Sequence, residues 1–208
     1  MDVEEKLFRF DRQFQEESPF LLAGVDEAGR GPLAGPVVAA AVIFRRPPSL
    51  PQLNDSKKLS PQTREILFRQ ILRQGLIGVG KVSESIIDEL NILQATRLAM
   101  RQAVLALPRT PDLLLIDGPI HLDLPLAQQG IIRGDAQSAV IASASIVAKV
   151  YRDYWMKALD ALYPDYGFGV HKGYPTCYHL EMLKTKGVTP VHRKTFQPVA
   201  EVLMQKKP

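Results

Sequence analysis

Cysteine is almost missing from this sequence: Cys177 stands alone among 208 residues, so no disulfide can close within the chain, and a lone thiol suits a reducing compartment. Long apolar runs are missing as well. The longest, Pro36 to Phe44, is far too short to cross a bilayer as a helix, which removes a membrane-spanning role from the expectations. The opening, Met1 to Lys6, is acidic and carries no apolar core behind basic residues, so it does not read as a signal peptide. A cytoplasmic protein is therefore expected. Neither an internal repeat nor a low-complexity segment interrupts the chain.

What is present suits one domain, or one domain with a small appendage. A chain of 208 residues that is 46% hydrophobic can bury a sizeable core without staples. The net charge of +4 says little by itself, but its placement is uneven. From His171 to Pro208 there are seven lysines and arginines against two acids, giving +5 there and −1 over residues 1–170. Three of the four histidines, His171, His179 and His192, lie in the same stretch. A basic C-terminal region can be a phosphate-backbone surface, or it can be a solvated helix face with a frayed tail.

The hydrophobic pattern alternates strands with helices. Residues 1–19 read as a helical extension. Phe20 to Val25 and Pro36 to Phe44 are apolar runs around a glycine-rich turn, and Arg45 to Ser60 is a proline-rich loop. Ser60 then reads as a helix N-cap with Pro61 at the first helical position, and Gly75 as the stop. A strand is expected over Leu76 to Val82. One helix is expected from Ser85 through Ala106, with Ile86, Leu90, Leu93, Leu98 and Val104 turned to the core. Leu113 to Ile116 and Gly130 to Arg133 read as strands, and a long helix runs from about Ala136 to Leu162. Such alternation means an α/β fold with a mixed sheet.

Three of these apolar runs end in acids: Asp26 with Glu27 beside it, Asp117, and Asp135 just before the long helix. Strand ends are where sites assemble in open α/β sheets. Glu27 would face away from Asp26 on a regular strand, but is free to turn back if the strand stops at Asp26. Any one aspartate here can be a turn residue, and Asp135 can be a helix N-cap. If all four carboxylates gather, cations must neutralise them, and hard oxygen donors favour Mg²⁺ or Mn²⁺. Two such ions about 3.5–4 Å apart suit in-line phosphodiester cleavage. The sequence alone leaves their convergence open.

The turn Gly29-Arg30-Gly31-Pro32-Leu33-Ala34-Gly35 misses the dinucleotide spacing by one residue and lacks the lysine of a P-loop. Its glycines permit positive φ and close approach of another molecule, so bare backbone groups can meet a sugar hydroxyl; a plain tight hairpin is the other reading.

The run Gly24-Val25-Asp26-Glu27-Ala28-Gly29-Arg30-Gly31-Pro32-Leu33-Ala34-Gly35-Pro36-Val37 resembles the opening signature of bacterial-type ribonuclease HII. Asn54-Asp55-Ser56-Lys57-Lys58-Leu59, Ile116-Asp117-Gly118, Gly134-Asp135-Ala136-Gln137-Ser138 with Ala142 to Asp153, Gly173-Tyr174-Pro175-Thr176 and His192-Arg193-Lys194-Thr195-Phe196 match further family motifs in order. The resemblance spans about residues 20–200; Arg133 and Gln137 stand where the family commonly has lysine. It implies a ribonuclease H-like mixed sheet flanked by helices, divided as an extension 1–19, a core 20–165 and a basic substrate-binding region 166–208. It implies that Asp26, Glu27, Asp117 and Asp135 hold two Mg²⁺ or Mn²⁺ ions, and that Gly29, Arg30 and Gly31 sense the ribose 2′-hydroxyl. Tyr174 would stack on the sugar of the following nucleotide, and Lys57 and Arg193 are candidate substrate contacts. Lys57 can equally be solvated, and Arg193 can equally be a C-terminal brace.

The activity so implied is hydrolysis 5′ to a ribonucleotide, in RNA–DNA hybrids or ribonucleotide-containing duplex DNA, opening the removal of misincorporated ribonucleotides. A monomer with no membrane role is expected. Two other classes compete: a non-catalytic hybrid-binding protein, which would usually have lost an acid, and a nucleotide-binding enzyme using the glycine turn. Asp153 is expected to pair with Lys149 on a helix surface, Ser143 and Ser145 to allow close packing or to reach phosphate, and Trp155 and Met156 to be core residues.

Overall fold

The computed structural model describes residues 3–14 and 20–205. Eight consecutive apolar side chains make up Val37–Phe44 (β2), and all are buried, as a strand covered on both faces requires. It lies between Leu22–Ala28 (β1) and Gly75–Val82 (β3), antiparallel to both. Leu113–Asp117 (β4) pairs with β1 in parallel, and Ala127–Ile131 (β5) pairs in parallel with β4. Among the described residues the order is β3-β2-β1-β4-β5, the mixed sheet expected from the pattern.

Strand alternation sorts the core into two layers. Leu22, Ala40, Val42, Phe44 and Leu115 share one layer with the long helix Ala139–Leu162 (α5). Ala23, Val25, Ala39, Ala41, Ile43, Leu114 and Ile116 share the other with Ile92–Leu105 (α4). Gly24 points to the α5 side, where a Cβ would overlap the backbone of Val140 and Ile141. The missing side chain lets the start of α5 rest directly on β1.

Local capping sets the helix ends. Ser60 accepts from the Thr63 amide at 3.1 Å, Pro61 opens Pro61–Gln74 (α2), and the Gly75 amide closes it on the Ile71 carbonyl. A cap of this kind contributes about 1 kcal/mol. At α5 two caps cooperate: Ser138 Oγ accepts from the Ile141 amide at 3.3 Å, and Asp11 Oδ2 accepts from the Val140 amide at 2.9 Å. Asp11 comes from Val3–Arg12 (α1), so the N-terminal extension is tied to the core through a buried carboxylate. Residues 1–2 and 15–19 of that extension lie outside the described residues.

Four expectations need correction. The span from Ser85 to Ala106 is two helices, Glu84–Leu90 (α3) and α4. Asn91 adopts φ 69° between them and caps α4 by accepting from the Leu93 and Gln94 amides at 3.0 and 3.2 Å. The break rotates the buried face onto Ile87, Ala95, Ala99, Met100 and Ala103, leaving Leu90 and Leu93 exposed. The fifth expected strand pairs earlier than Gly130 to Arg133, over Ala127–Ile131, and Gly134–Ala136 is a 3₁₀ turn. The long helix begins at Ala139 with Ser138 as its cap, so Asp135 is not the N-cap. Met156 is fully buried, but Trp155 is exposed, with the Lys81 ammonium 3.5 Å from its ring centre.

Beyond α5 come a short 3₁₀ turn, Pro164–Tyr166, and three helices: Phe168–His171 (α6), Cys177–Thr185 (α7) and Gln197–Gln205 (α8). They bury two small clusters, one containing Ala34 with Met156 and Phe168, the other containing Leu33 with Leu183, Val199 and Val202. The glycine-rich turn thus forms the seat of the C-terminal helices.

Candidate active site

Strand register brings the first two acids together. Val25 is level with Ile116 across β1 and β4, so Asp26 and Asp117, one residue further on, stand side by side. Both belong to the α5-facing set of their strands, because Gly24 and Leu115 do. Contrary to the strand-end expectation, β1 continues through Ala28, with Asp26 level with Ala40 and Glu27 with Ala39. Glu27 still lines the same cleft as Asp26 and Asp117. Asp135 reaches the group from the turn after β5: the Gly134 amide donates to Asp117 Oδ1 at 2.6 Å.

The electrostatics are those of crowded, buried carboxylates. Burial, then the neighbouring charges of Glu27 and Asp117, push the Asp26 carboxyl well above its usual range; the Ser145 hydroxyl and the Glu27 amide pull it back in part. Burial also raises Glu27 and Asp117, the latter with the charge of Asp135 as the next cause. Two cations moderate the cluster. Lys57 Nζ lies 3.2 Å from Asp135 Oδ2, and Arg30 Nη1 lies 3.3 Å from Glu27 Oε1. Glu27 Oε2 is buried without a hydrogen-bond partner. An acid set this strained, with an orphaned oxygen and hard donors only, fits divalent cations. Among the described residues no three acid, histidine or cysteine side chains already close around one point as a finished cage.

The glycine turn stands opposite the acids, and two buried arginines hold it. Arg193 is fully buried and donates to the carbonyls of Gly29 at 2.6 Å, Arg30 at 2.9 Å and Gly35 at 2.8 and 3.0 Å. Arg152, on α5, donates to Pro36, Lys172 and Ala34 carbonyls at 3.0, 3.0 and 3.1 Å. Burial lowers their pKa values to about 9 and about 10, so both stay charged at neutral pH. Gly29 has φ 97°, and a Cβ there would collide with the Arg152 side chain. The carbonyls of Gly29 and Arg30 are thus engaged by Arg193, and Gly29, Arg30 and Gly31 line the cleft.

Asp26, Glu27, Asp117, Gly29, Arg30, Gly31, Lys57 and Tyr174 all line one cleft of about 220 Å³, and Asp135 touches it through Lys57. Arg193, a candidate substrate contact, is not among the residues that line the cleft; its guanidinium is fully buried and donates to carbonyls of the turn. Arg152 and Lys149 carried no expected role in the cleft, whereas Ser145 was expected to pack closely or to reach phosphate. Arg152, Lys149 and Ser145 lie at helical spacing on one stripe of α5 and line the cleft with Ser56. Ser145 Oγ and Ser56 Oγ are 2.9 Å apart, joining α5 to the loop that carries Lys57. Lys149 pairs with Asp153 at 2.7 Å, as the spacing predicted, and Ser143 Oγ donates to the Ala139 carbonyl within its own helix. A polar stripe on an otherwise alanine-rich helix was the available signal for Arg152.

Known proteins resemble this chain in sequence and fold. The ribonuclease HII family model matches residues 23–199. Ribonuclease HII of Geobacillus kaustophilus is 54% identical over 200 residues, covering 96% of this chain and 76% of that protein. Ribonuclease HII of Endomicrobium trichonymphae is 53% identical, covering 97% of each. Among solved structures, ribonuclease H2 from Pyrococcus horikoshii superposes with a TM-score of 0.73 at 27% identity, over 90% of this chain and all of that one. The ribonuclease HII of Archaeoglobus fulgidus, solved as a complex with PCNA, gives 0.73 at 28%, over 85% and 95%. A ribonuclease HIII solved with Mn²⁺ shares the fold, with a TM-score of 0.70 at 16% identity over 99% and 73%. Family motif, relatives over nearly the whole chain and shared fold agree: this chain belongs to the ribonuclease HII family and is a ribonuclease H-type endoribonuclease.

Proposed function

We propose that this protein cuts the ribonucleotide strand on the 5′ side of a ribonucleotide, including a single one embedded in duplex DNA, and leaves 3′-hydroxyl and 5′-phosphate ends. Endonucleolytic action on the RNA of RNA–DNA hybrids comes with the family. The observation that carries the finer reading is the shared cleft, in which Asp26, Glu27 and Asp117 face Gly29 to Gly31 and Tyr174.

Ribonuclease H enzymes depend on divalent metal ions. Here Asp26, Glu27, Asp117 and Asp135 would hold two Mg²⁺ or Mn²⁺ ions, which supply an activated water and neutralise charge on the leaving oxygen. The chain's own residues do the rest. The Gly134 amide orients the Asp117 carboxylate, and the Glu27 amide, 2.7 Å from Asp26 Oδ1, orients that of Asp26. Lys57 fixes Asp135 and adds positive charge at the rim. The backbone groups of Gly29, Arg30 and Gly31 sense the ribose 2′-hydroxyl, the group that separates RNA from DNA. Tyr174, 45% exposed at the same cleft, stacks on the sugar of the next nucleotide. Residues 166–208 carry the substrate-binding region, of which the basic surface is the phosphate-facing part. In the cell this activity opens ribonucleotide excision repair by a cytoplasmic monomer; no helix is long and apolar enough to cross a membrane among the described residues.

The test is an end-labelled DNA duplex with one ribonucleotide, beside an all-DNA control, in Mg²⁺, in Mn²⁺ and in EDTA. A single cut 5′ to the ribonucleotide, only with metal, is the expected result. Binding without cleavage by folded protein in either metal would make this a hybrid-binding protein instead.

A further inference from the structure

Every backbone polar group of Lys172, Gly173 and Tyr174 is held. The Lys172 amide donates to the Phe168 carbonyl, and the Lys172 carbonyl accepts from Arg152. The Gly173 amide donates to His171 Nδ1 at 3.1 Å, and the Gly173 carbonyl accepts from the Leu33 amide at 2.8 Å. The Tyr174 amide donates to the His171 carbonyl at 3.0 Å. The Tyr174 carbonyl accepts from the Thr176 amide at 2.8 Å and meets His179 Nδ1 at 2.9 Å. The tyrosine ring therefore stands at the cleft on a backbone with no unengaged group beneath it.

The last of these bonds has a direction that can be deduced. The Thr189 amide donates to His192 Nδ1 at 3.0 Å, so that nitrogen is bare and His192 Nε2 carries the proton. His192 Nε2 lies 3.0 Å from His179 Nε2. The proton between them is His192's, so His179 Nε2 accepts and His179 Nδ1 carries the proton given to Tyr174. A single pair of tautomers satisfies Thr189, both rings and Tyr174 together. Both histidines are buried, and the Phe168 ring packs edge-on against His179 and tilted against His192. His171 stacks on His179 with ring centres 4.5 Å apart.

We propose that His179 and His192 form one positioning relay, which runs from the Thr189 backbone to the Tyr174 carbonyl and holds the tyrosine at the angle substrate recognition needs. Neither histidine touches the cleft. The proposal rests on the reading of Tyr174 given above. The alternative is that the two are satisfied core residues with no bearing on recognition beyond keeping α7 in place.

The experiment is a double-mutant cycle on a duplex with one ribonucleotide, with circular dichroism confirming the fold of each variant. His179→Leu removes the donor. His179→Asn keeps an amide donor near the place of Nδ1 and serves as the rescue. Loss of one hydrogen bond predicts a KM raised about five- to tenfold for His179→Leu, with kcat within about twofold and partial recovery in His179→Asn. In a Tyr174→Ala background the same His179→Leu change should leave KM where Tyr174→Ala put it. An equal, additive rise in that background makes the histidines structural and overturns the relay. No KM change from Tyr174→Ala alone would sink the Tyr174 reading itself, and the relay's role in recognition with it. Should His179→Leu fail to fold, imidazole ¹⁵N shifts of the unmutated protein decide. Protons on His179 Nδ1 and His192 Nε2 are expected; a proton on His179 Nε2 overturns the relay.

Discussion

Asp26 and Asp117 stand side by side on adjacent parallel strands, one residue past the level pair Val25 and Ile116. Both face α5, and burial raises both carboxyls, with the charges of Glu27 and Asp117 adding to it at Asp26 and that of Asp135 at Asp117. Asp26→Asn removes a buried charge without changing shape. The metal-free variant should therefore melt a few degrees higher than the wild type, the shift expected of about 1 kcal/mol in a chain this long. The same variant should lose cleavage and lose the upward melting shift that Mg²⁺ or Mn²⁺ gives the wild type. Near-wild-type turnover would remove Asp26 from the metal assignment. Calorimetry with and without metal, beside the cleavage assay, reads all three.

Under the proposed function, Tyr174 serves recognition beside the ribonucleotide and not the acids. Aromatic stacking on a base contributes about 1–3 kcal/mol; with packing on a sugar near the lower end of that range, Tyr174→Ala should slow cleavage at a single embedded ribonucleotide by about fivefold or more. Long hybrids offer many registers and should lose much less. Equal losses on both substrates would take the junction-sensing role away from Tyr174.

Arg193 presents a planar fork to three carbonyls of the glycine turn, a geometry lysine cannot reproduce. Arg193→Lys keeps the charge but leaves buried acceptors unmet, at about 1–3 kcal/mol each. The expected result is a lower melting temperature, together with weaker discrimination between ribonucleotide and deoxyribonucleotide at the cleavage site. Unchanged discrimination would mean that the turn keeps its shape without the brace.

Acid should loosen the C-terminal region first. Burial lowers His179 to about 4 and His192 to about 3, and His171 stacks against His179. Both fold neutral, while in the unfolded chain they take up protons near pH 6.5. The unfolded state then binds more protons, so stability is whole above that pH and falls as pH drops from about 6.5 toward the folded values, by about 1.4 kcal/mol per unit per histidine. Denaturant midpoints measured at pH 7.5, 6 and 5 test this. His192→Gln should flatten the slope; a slope that does not change excludes the pair as its source.

Much of the fold was legible because it is written locally. Ser60 and Pro61 mark the start of α2, Gly75 marks its end, and the apolar runs mark β2 and β4. Where the reading failed, a non-local term had won. Asn91 breaks one apparent helix in two because a left-handed residue satisfied by its own cap interrupts an otherwise continuous pattern. Asp26 and Glu27 look like the residues after a strand, yet pairing with Ala40 and Ala39 keeps them in it. Trp155 has an apolar ring but faces outward, where Lys81 covers it.

The sequence by itself determined the mixed α/β sheet, the four acids, the glycine turn and the family they resemble, because apolar period, caps and motif order are properties of neighbours along the chain. Tertiary structure alone decided that Asp26 lies beside Asp117, since sheet register joins residues 91 apart. It also decided that Arg152 and Arg193 lie beneath the turn instead of at its surface. A guanidinium in the sequence is equally a phosphate contact or a brace; that these two are buried with their donors on backbone carbonyls follows from packing between segments far apart in the chain.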